Sequence, residues 1–349
     1  MPKETTIAYT LDPALAGHLA AARAGDHNEF SVLAEPYRRE LQVHCYRILG
    51  SLHDAEDLVQ ETMLRAWRRL DTFEGRASLR AWLYKIATNA CLDALDKRPR
   101  RALPPATHPP ADPRRPLAPP VAEPLWLEPL PDDLLAGAEE NPEARYTTRE
   151  SITLAFLAAL QTLPPRQRAA VILCDVLDWK ASEAAECLGA TPSAVNSALH
   201  RARETLAKKY HRRETMKLAH ADERTRALLD RFMRAWETAD VNTLVSLLKD
   251  EATLAMPPTP SWYRGPEEIR AFLLAVPLAG DAQDRWRLIL TQANGGPAFA
   301  FYQRDDSTAN GLYRSAGVMT ITLDEGAIFE MTLFTNPELV LKFGLPPVM

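Results

Sequence analysis

Residues 54–101 read DAEDLVQETMLRAWRRLDTFEGRASLRAWLYKIATNACLDALDKRPRR. Leu58, Val59, Thr62, Met63, Ala66 and Leu70 recur at helical spacing and form one apolar stripe. Asp54, Asp57 and Glu61 fall on a different, acidic face. Aromatic residues follow at Trp67, Phe73, Trp82 and Tyr84, then a basic end at Lys97, Arg98, Arg100 and Arg101. An acidic face suits a basic protein partner. Rings beside cations suit single-stranded bases, which stack while their phosphates meet positive charge. Each chemistry also has a plainer reading. Asp57, Glu61 and Arg65 fit surface ion pairs at i, i+4 spacing. Trp67 and Trp82 fit a core. A basic end suits the negative pole of a helix.

A second motif stands apart from the first. Residues 164–209 read PPRQRAAVILCDVLDWKASEAAECLGATPSAVNSALHRARETLAKK. Ser182–Leu188 is a short helix and Gly189 supplies the turn. Thr191 caps a second helix, with Pro192 at its first position. That helix carries Ser193, Asn196, Ser197, His200, Arg201 and Arg203. The pattern is a helix-turn-helix, whose second helix enters a major groove with its first residues on base edges. Residues 164–213 hold nine Lys and Arg against five Asp and Glu, which places positive charge where phosphates would lie. A structural helical hairpin fits the pattern as well.

Together the motifs resemble regions 2 and 4 of the sigma-70 family, specifically the extracytoplasmic-function (ECF) sigma factors. The resemblance covers residues 10–98 and 146–213 and implies two all-α domains. It implies core RNA polymerase and promoter DNA as partners, and no covalent chemistry. Asp54, Asp57, Gln60 and Glu61 would belong to the polymerase-binding surface. The loop Asp71–Ser78, with Phe73 and Trp82, would meet the −10 element. So would the helix through Asn89, Asp93, Lys97 and Arg98, the loop helping to form a pocket for a flipped base. The helix-turn-helix would read the −35 element. Asn196, Ser197 and Arg201 are its leading contacts, with Ser193, His200 and Arg203 on the same helix. Arg166 and Arg168 are expected on phosphates.

Between the two motifs, residues 99–142 hold 13 of the chain's 28 prolines. Proline lacks an N–H and fixes φ, so residues 99–145 are expected as an extended linker. Leu125, Trp126, Leu127, Leu130, Leu134 and Leu135 lie there among Glu123, Glu128, Asp132 and Asp133, a mix suited to docking. In the family this segment threads through polymerase. Here it is longer and richer in proline than in an ordinary ECF factor.

Beyond residue 218 the periodicity changes. Helices are expected near 220–238, 240–248 and 266–275, the last opened by Pro266. Strand-like runs follow at EATLAM, RWRLILTQA, PAFAFYQR and 311–334, the last with a hairpin signal at Asp324-Glu325-Gly326. An α+β domain with an antiparallel sheet follows from this order. Residues 218–349 resemble the SnoaL-like fold, a cone of curved sheet wrapped by helices. A subset of ECF factors carries such a tail, which the resemblance makes a regulatory module. Trp262, Tyr263, Arg287, Tyr302 and Tyr313 are candidates to line a small-molecule pocket; sheet packing is their plainer reading. Residues 221–349 contain no His and no Cys, which withholds a His base, a thiol nucleophile and a His-ligated metal from this domain. No catalytic residue, metal or cofactor is expected. The final NPELVLKFGLPPVM reads as a docking helix that holds the tail against the sigma domains.

Composition bounds the alternatives. The chain has 349 residues and a net charge of −5. Residues 1–213 hold 28 residues of each sign, and residues 214–349 carry the acidic excess. Nucleic-acid contact therefore rests on local patches. No apolar run approaches the length of a membrane span. The N-terminus lacks a signal pattern, so the cytoplasm is expected. Cys45, Cys91, Cys174 and Cys187 show no paired spacing and are expected as buried thiols. Two other functions stay in view: a bifunctional protein whose tail binds or turns over a small molecule, and a ligand-responsive helix-turn-helix regulator.

Overall fold

The structure, a computed structural model, describes residues 13–349 except 76, 98, 122–124, 137–144, 149, 211–221 and 308–310. The chain divides into two compact units. The first draws its described residues from Met1–Pro99, Gly137–Ser151 and Ala159–Lys209; the second from Arg100–Ala136, Ile152–Ala158 and Tyr210–Met349. The expected boundaries near 213 and 218 fall outside the described residues.

The first unit is helical. Its N-terminal part comprises α1 (Pro13–Arg23), α2 (His27–Ala34), α3 (Arg38–Leu49), α4 (Leu52–Arg68) and α5 (Leu79–Leu95). Side-chain caps start three of these helices. Asp26 accepts from the Asn28 and Glu29 N–H groups, Ser51 from Asp54 and Ser78 from Ala81. Gly50 ends α3 at φ +71°, a left-handed conformation open to glycine. The apolar stripe of α4 is buried through Val59, Met63 and Ala66. The C-terminal part comprises α7 (Leu154–Gln161, shared by both units), α8 (Pro165–Val171), a π turn over Ile172–Val176, α9 (Ala181–Leu188) and α10 (Pro192–Lys209). The two parts pack into one body. The Tyr84 ring on α5 lies 5.6 Å from Trp179. Arg168 on α8 donates to the Ile48 carbonyl on α3 at 2.6 Å. All four cysteines are free thiols, and Cys45, Cys91 and Cys187 are buried.

The second unit is α+β. Strands β3 (Leu248–Ala255), β4 (Trp262–Arg264), β5 (Trp286–Ala293), β6 (Gly296–Arg304), β7 (Tyr313–Asp324) and β8 (Ala327–Phe334) form a six-stranded sheet in the order β4-β3-β8-β7-β6-β5. Helices α11 (Glu223–Glu237), α12 (Val241–Ser246) and α13 (Pro266–Ala275) belong to this unit. Leu229, Phe232 and Trp236 of α11 join Phe299, Met319 and Met331 of the sheet in one core. The sheet is mixed, where an antiparallel one was expected: β3 pairs β8 in parallel. Consecutive strands joined by tight turns must run antiparallel, but β3 and β8 are separated by the rest of the sheet and a helix. The Glu325-Gly326 loop between β7 and β8 has φ +50° and +79°, the type I′ twist that the hairpin signal called for. Asn294-Gly295 makes the same kind of turn between β5 and β6, with φ +54° and +79°.

Helix α14 (Pro337–Lys342) packs on β7 of its own sheet, burying Leu339 and Val340. The expected docking helix thus has its seat within the tail. Where β8 has ended, the last residues take its place beside β7. The Ser315 N–H donates to the Pro347 carbonyl at 2.9 Å, and Tyr313 and Met349 exchange two backbone bonds at 3.0 and 2.8 Å.

The proline-rich segment is not a solvated linker. Its described residues from Arg100 to Ala136 fold with the tail. Arg101–Ala102 (β1) and Leu125–Trp126 (β2) pair in parallel, and Pro104–Thr107 (α6) makes one helical turn with prolines at its first two positions, where their missing N–H groups cost nothing. The Trp262 indole donates to the His108 carbonyl at 2.8 Å, and the Ala111 N–H donates to the Trp262 carbonyl at 2.8 Å. Leu127 and Leu130 are fully buried. Asn294, 5% exposed, exchanges backbone and side-chain bonds of 3.0 Å with Leu130, and its Nδ2 donates to the Ile152 carbonyl at 2.7 Å.

His44 shows what the helical core demands of a polar group. It is fully buried, with Nε2 2.8 Å from Thr88 Oγ1 and no hydrogen-bond partner at Nδ1. Burial first, and then the Arg47 and Arg80 charges, push its pKa down to about 3. The ring is neutral when folded and protonates near 6.5 when unfolded. Its contribution is complete above that value and is lost as pH falls toward the folded one. Acidification from about pH 7 to about pH 5 should cost roughly 2 kcal/mol through this group. Urea titrations at both values check this, and His44→Gln should show a smaller drop than the parent chain.

Candidate functional site

The acidic face of α4 is present, with one correction. Asp57, Gln60 and Glu61 are exposed or half-buried on one side of the helix. Asp54 is not part of that surface: it is 7% exposed in the first turn, where the helix dipole favours a carboxylate. Glu61 accepts from Arg65 at 2.8 Å. Leu64, one turn further on, is 51% exposed. The face is therefore acidic with an apolar centre, and Leu64 was legible from its i+3 and i+4 spacing to Glu61 and Gln60.

The aromatic loop splits its roles. Asp71 is exposed, and Ser78 is half-buried as the α5 cap. Phe73 is buried and lies 5.4 Å from the half-buried Trp82 ring. Phe73 thus supports Trp82 from below instead of presenting its own face, a correction to its expected contact role. Trp67 is held in turn by His27, stacked at 4.1 Å, and by Phe30. Along α5, Lys85, Asn89 and Asp93 follow Trp82 at helical spacing as one accessible stripe, and Lys97 lies exposed just past the helix end. The Asn89 amide donates to the Lys85 carbonyl at 2.9 Å, and Asp93 accepts from Arg65 at 3.3 Å. Lys85 was missed in the sequence, although the same i+4 period that picks out Asn89 and Asp93 includes it. Arg98 lies outside the described residues.

The helix-turn-helix forms as read. Gly189 turns the chain at φ +59°, and Thr191 Oγ1 accepts from the Ala194 N–H at 3.2 Å. Val195, Leu199, Ala202 and Leu206 are buried, while Ser193, Asn196, Ser197, His200 and Arg201 are exposed on the opposite face of α10. Arg203 is directed elsewhere. Its guanidinium grips Asp175, a 2% exposed carboxylate in the π turn, through both Nε and Nη2. That bond holds its pKa above the usual value. Arg203 therefore fixes α10 on its support. Arg166 is exposed, but Arg168 is 1% exposed and inside the core. It donates to the carbonyls of Ile48, Gln161 and Leu163 and to Gln161 Oε1. A phosphate has no access to it, which overturns the expected contact.

None of the five tail candidates lines the 680 Å³ groove of the second unit. Trp262 is buried under the proline-rich segment, and Tyr263 stacks on Phe272 at 4.5 Å. Tyr302 is buried and donates to the Pro346 carbonyl. Arg287 lies over the Tyr313 ring at 5.2 Å and pairs with Asp284 at 3.0 Å. Among the described residues, no helix is long and apolar enough to cross a membrane, and no group of three His, Cys, Asp or Glu side chains could hold a metal ion.

Comparison with known proteins agrees with this division. The Sigma-70 region 2 family matches residues 33–101, Sigma-70 region 4 matches 153–206, and the SnoaL-like domain matches 229–331. The ECF RNA polymerase sigma factor SigG of Mycobacterium tuberculosis is 43% identical over 335 residues, 94% of this chain and 86% of that protein. The chain belongs to the ECF sigma factors. SigM of the same organism is 33% identical over 190 residues, covering 54% of this sigma factor and 81% of its own length. The crystal structure of the M. tuberculosis sigma factor SigJ superposes with a TM-score of 0.57 at 22% identity, over 89% of this chain and 98% of that one, which shows a common fold.

Arg168 and Arg201 can be told apart by experiment. Arg168→Met should lower stability by about 3 kcal/mol, because several buried carbonyls lose a charged donor. The salt dependence of promoter binding by the assembled polymerase should stay the same. Arg201→Ala should leave stability within about 0.5 kcal/mol and reduce the slope of log affinity against log salt by about one.

Proposed function

We propose that this sigma factor directs RNA polymerase to specific promoters. Regions 2 and 4 engage the enzyme and the two promoter elements, and the tail controls the segment between them. The carrying observation is the exposed face of α10. Five polar residues are presented together on the first three turns of a helix whose other face is fully packed. Such a surface meets base edges and phosphates and serves no purpose in the fold. Asn196 and Ser197 are the base-reading candidates, and Arg201 and Arg166 the phosphate contacts. Asp57, Gln60 and Glu61 around Leu64 form the polymerase-facing patch. Trp82, Lys85, Asn89 and Lys97 form the −10 stripe, with the Asp71–Ser78 loop beside it. The protein works where the polymerase is.

The tail acts by holding. The resemblance to sigma factors sends the segment between regions 2 and 4 into polymerase, whereas here its Val121 and Leu130 are hydrogen-bonded to Pro258 and Asn294 of the tail. One segment cannot occupy both places, so docking on the tail restrains initiation. Absence of His and Cys from residues 221–349 favours a tail that binds over one that turns a substrate over.

Run-off transcription tests both parts. Asp57→Lys combined with Glu61→Lys should abolish polymerase binding with circular dichroism unchanged; normal affinity would sink the patch assignment. Asn294→Ala removes two buried hydrogen bonds, together worth roughly 2 kcal/mol, one of which holds the segment at Leu130. It should speed proteolysis of residues 100–136 and raise promoter-specific transcript several-fold. A fall in transcript would make the tail an activator instead.

A further inference from the structure

The second unit has an open groove of 680 Å³ on its sheet, lined by residues from β5, β6, β7, the β6–β7 loop and the end of β8. Its size is that of a small-molecule site. Strand register explains its composition. Trp286 on β5 pairs with Gln303 on β6, which pairs with Arg314 on β7. Directly paired residues share a sheet face, so these three side chains form one row across three strands. Phe301, two residues before Gln303, lies on the same face and reaches back into the core.

The two rings are fixed in place. The Trp286 indole N–H donates to the Pro277 carbonyl at 2.8 Å, which anchors the ring edge and leaves the ring itself to the groove. Phe301 stands against it at 64°, with ring centres 6.0 Å apart. On its other side Phe301 lies over Gly317. A β-carbon at Gly317 would sit 2.8 Å from the end of the Phe301 ring and 2.0 Å from the Phe334 carbonyl oxygen. Only glycine permits that approach. The result is a rigid two-walled aromatic corner.

The rim carries charges of both signs, Arg314 and Asp305, and is equally ordered. Arg304 bonds Asp306 through Nε at 2.9 Å, and Arg314 bonds Asp305 through Nε at 2.6 Å. The Arg314 pairing uses the inner nitrogen, which leaves its terminal guanidinium N–H groups to face another oxygen; Arg304, across the ladder from Tyr313, belongs to the opposite face. Asp305 also accepts from Ser307, and these bonds pull its pKa down to about 2. It stays ionised and keeps Arg314 oriented at any physiological pH. The side chains of Gln303 and the exposed Arg314 add donors around the rings.

The geometry points to a binding site for a flat aromatic carboxylate in the tail, its ring in the Trp286–Phe301 corner and its carboxylate on the terminal N–H groups of Arg314. Rings favour stacked or edge contacts of this kind, and a guanidinium is the side chain best matched to a carboxylate. The site stands independently of promoter recognition, and its assay reads binding alone.

Calorimetric titration of the full chain with 2-naphthoate, and with the uncharged 2-naphthamide, tests the assignment. Saturable naphthoate binding at least about tenfold tighter than naphthamide binding is expected. Arg314→Gln should weaken naphthoate by about tenfold and leave naphthamide within about twofold, whereas Arg304→Gln on the opposite face should leave both within about twofold. Trp286→Leu should weaken both ligands. Circular dichroism confirms that each variant is folded. Absence of saturable naphthoate binding up to about 1 mM, equal affinity for the two ligands, or undiminished naphthoate binding in Arg314→Gln would each overturn the assignment.

Discussion

Every backbone polar group taken out of water needs a partner, and proline brings an acceptor without a donor. A segment with a proline at every third or fourth position closes only short pieces on itself, here the two-residue β1–β2 pair and the single turn of α6. Its other buried carbonyls and N–H groups must be met from outside. Residues 100–136 meet them on the tail. The Trp262 indole takes the His108 carbonyl, the Pro258 carbonyl takes the Val121 N–H, and the Asn294 amide takes Leu130. Leu130, held by Asn294, is fully buried. The tail is thus a folding partner for the segment that joins the two promoter-reading regions, and the control proposed for it grows from the same bonds.

Local signals carried the element assignments well. Gly189 and Thr191-Pro192 marked the helix-turn-helix, and Asp324-Glu325-Gly326 marked a hairpin, because caps and turns are decided by a few adjacent residues. Asn294-Gly295 was an equally good hairpin signal and went unused. Its deeper role could not be read, because the partners of Asn294, Leu130 and Ile152, lie more than a hundred residues away in the chain. Arg168 and Asp54 failed for one reason: a charged residue was assigned to a surface by type. Only the packed structure shows the carbonyls of Ile48, Gln161 and Leu163 converging on Arg168.

The groove shows how near a sequence reading can come and still miss. Arg287, Tyr302 and Tyr313 were chosen for their chemistry. The residues that line the groove are their neighbours Trp286, Phe301, Gln303 and Arg314. In a strand a step of one residue crosses the sheet. Aromatic and basic side chains alternate on both faces here, so composition could not say which set faces inward. The Trp286–Gln303–Arg314 register decides it.

The last four residues have a practical consequence. β8 stops opposite Val318, and the first half of β7 would present an unpaired edge if Pro347 and Met349 did not occupy it. Open edges recruit strands from other molecules. Those residues act as a built-in guard against self-association. An affinity tag joined directly after Met349 would pull on that guard. Colloidal behaviour at high concentration, and not only transcription, therefore depends on how that end of the chain is handled.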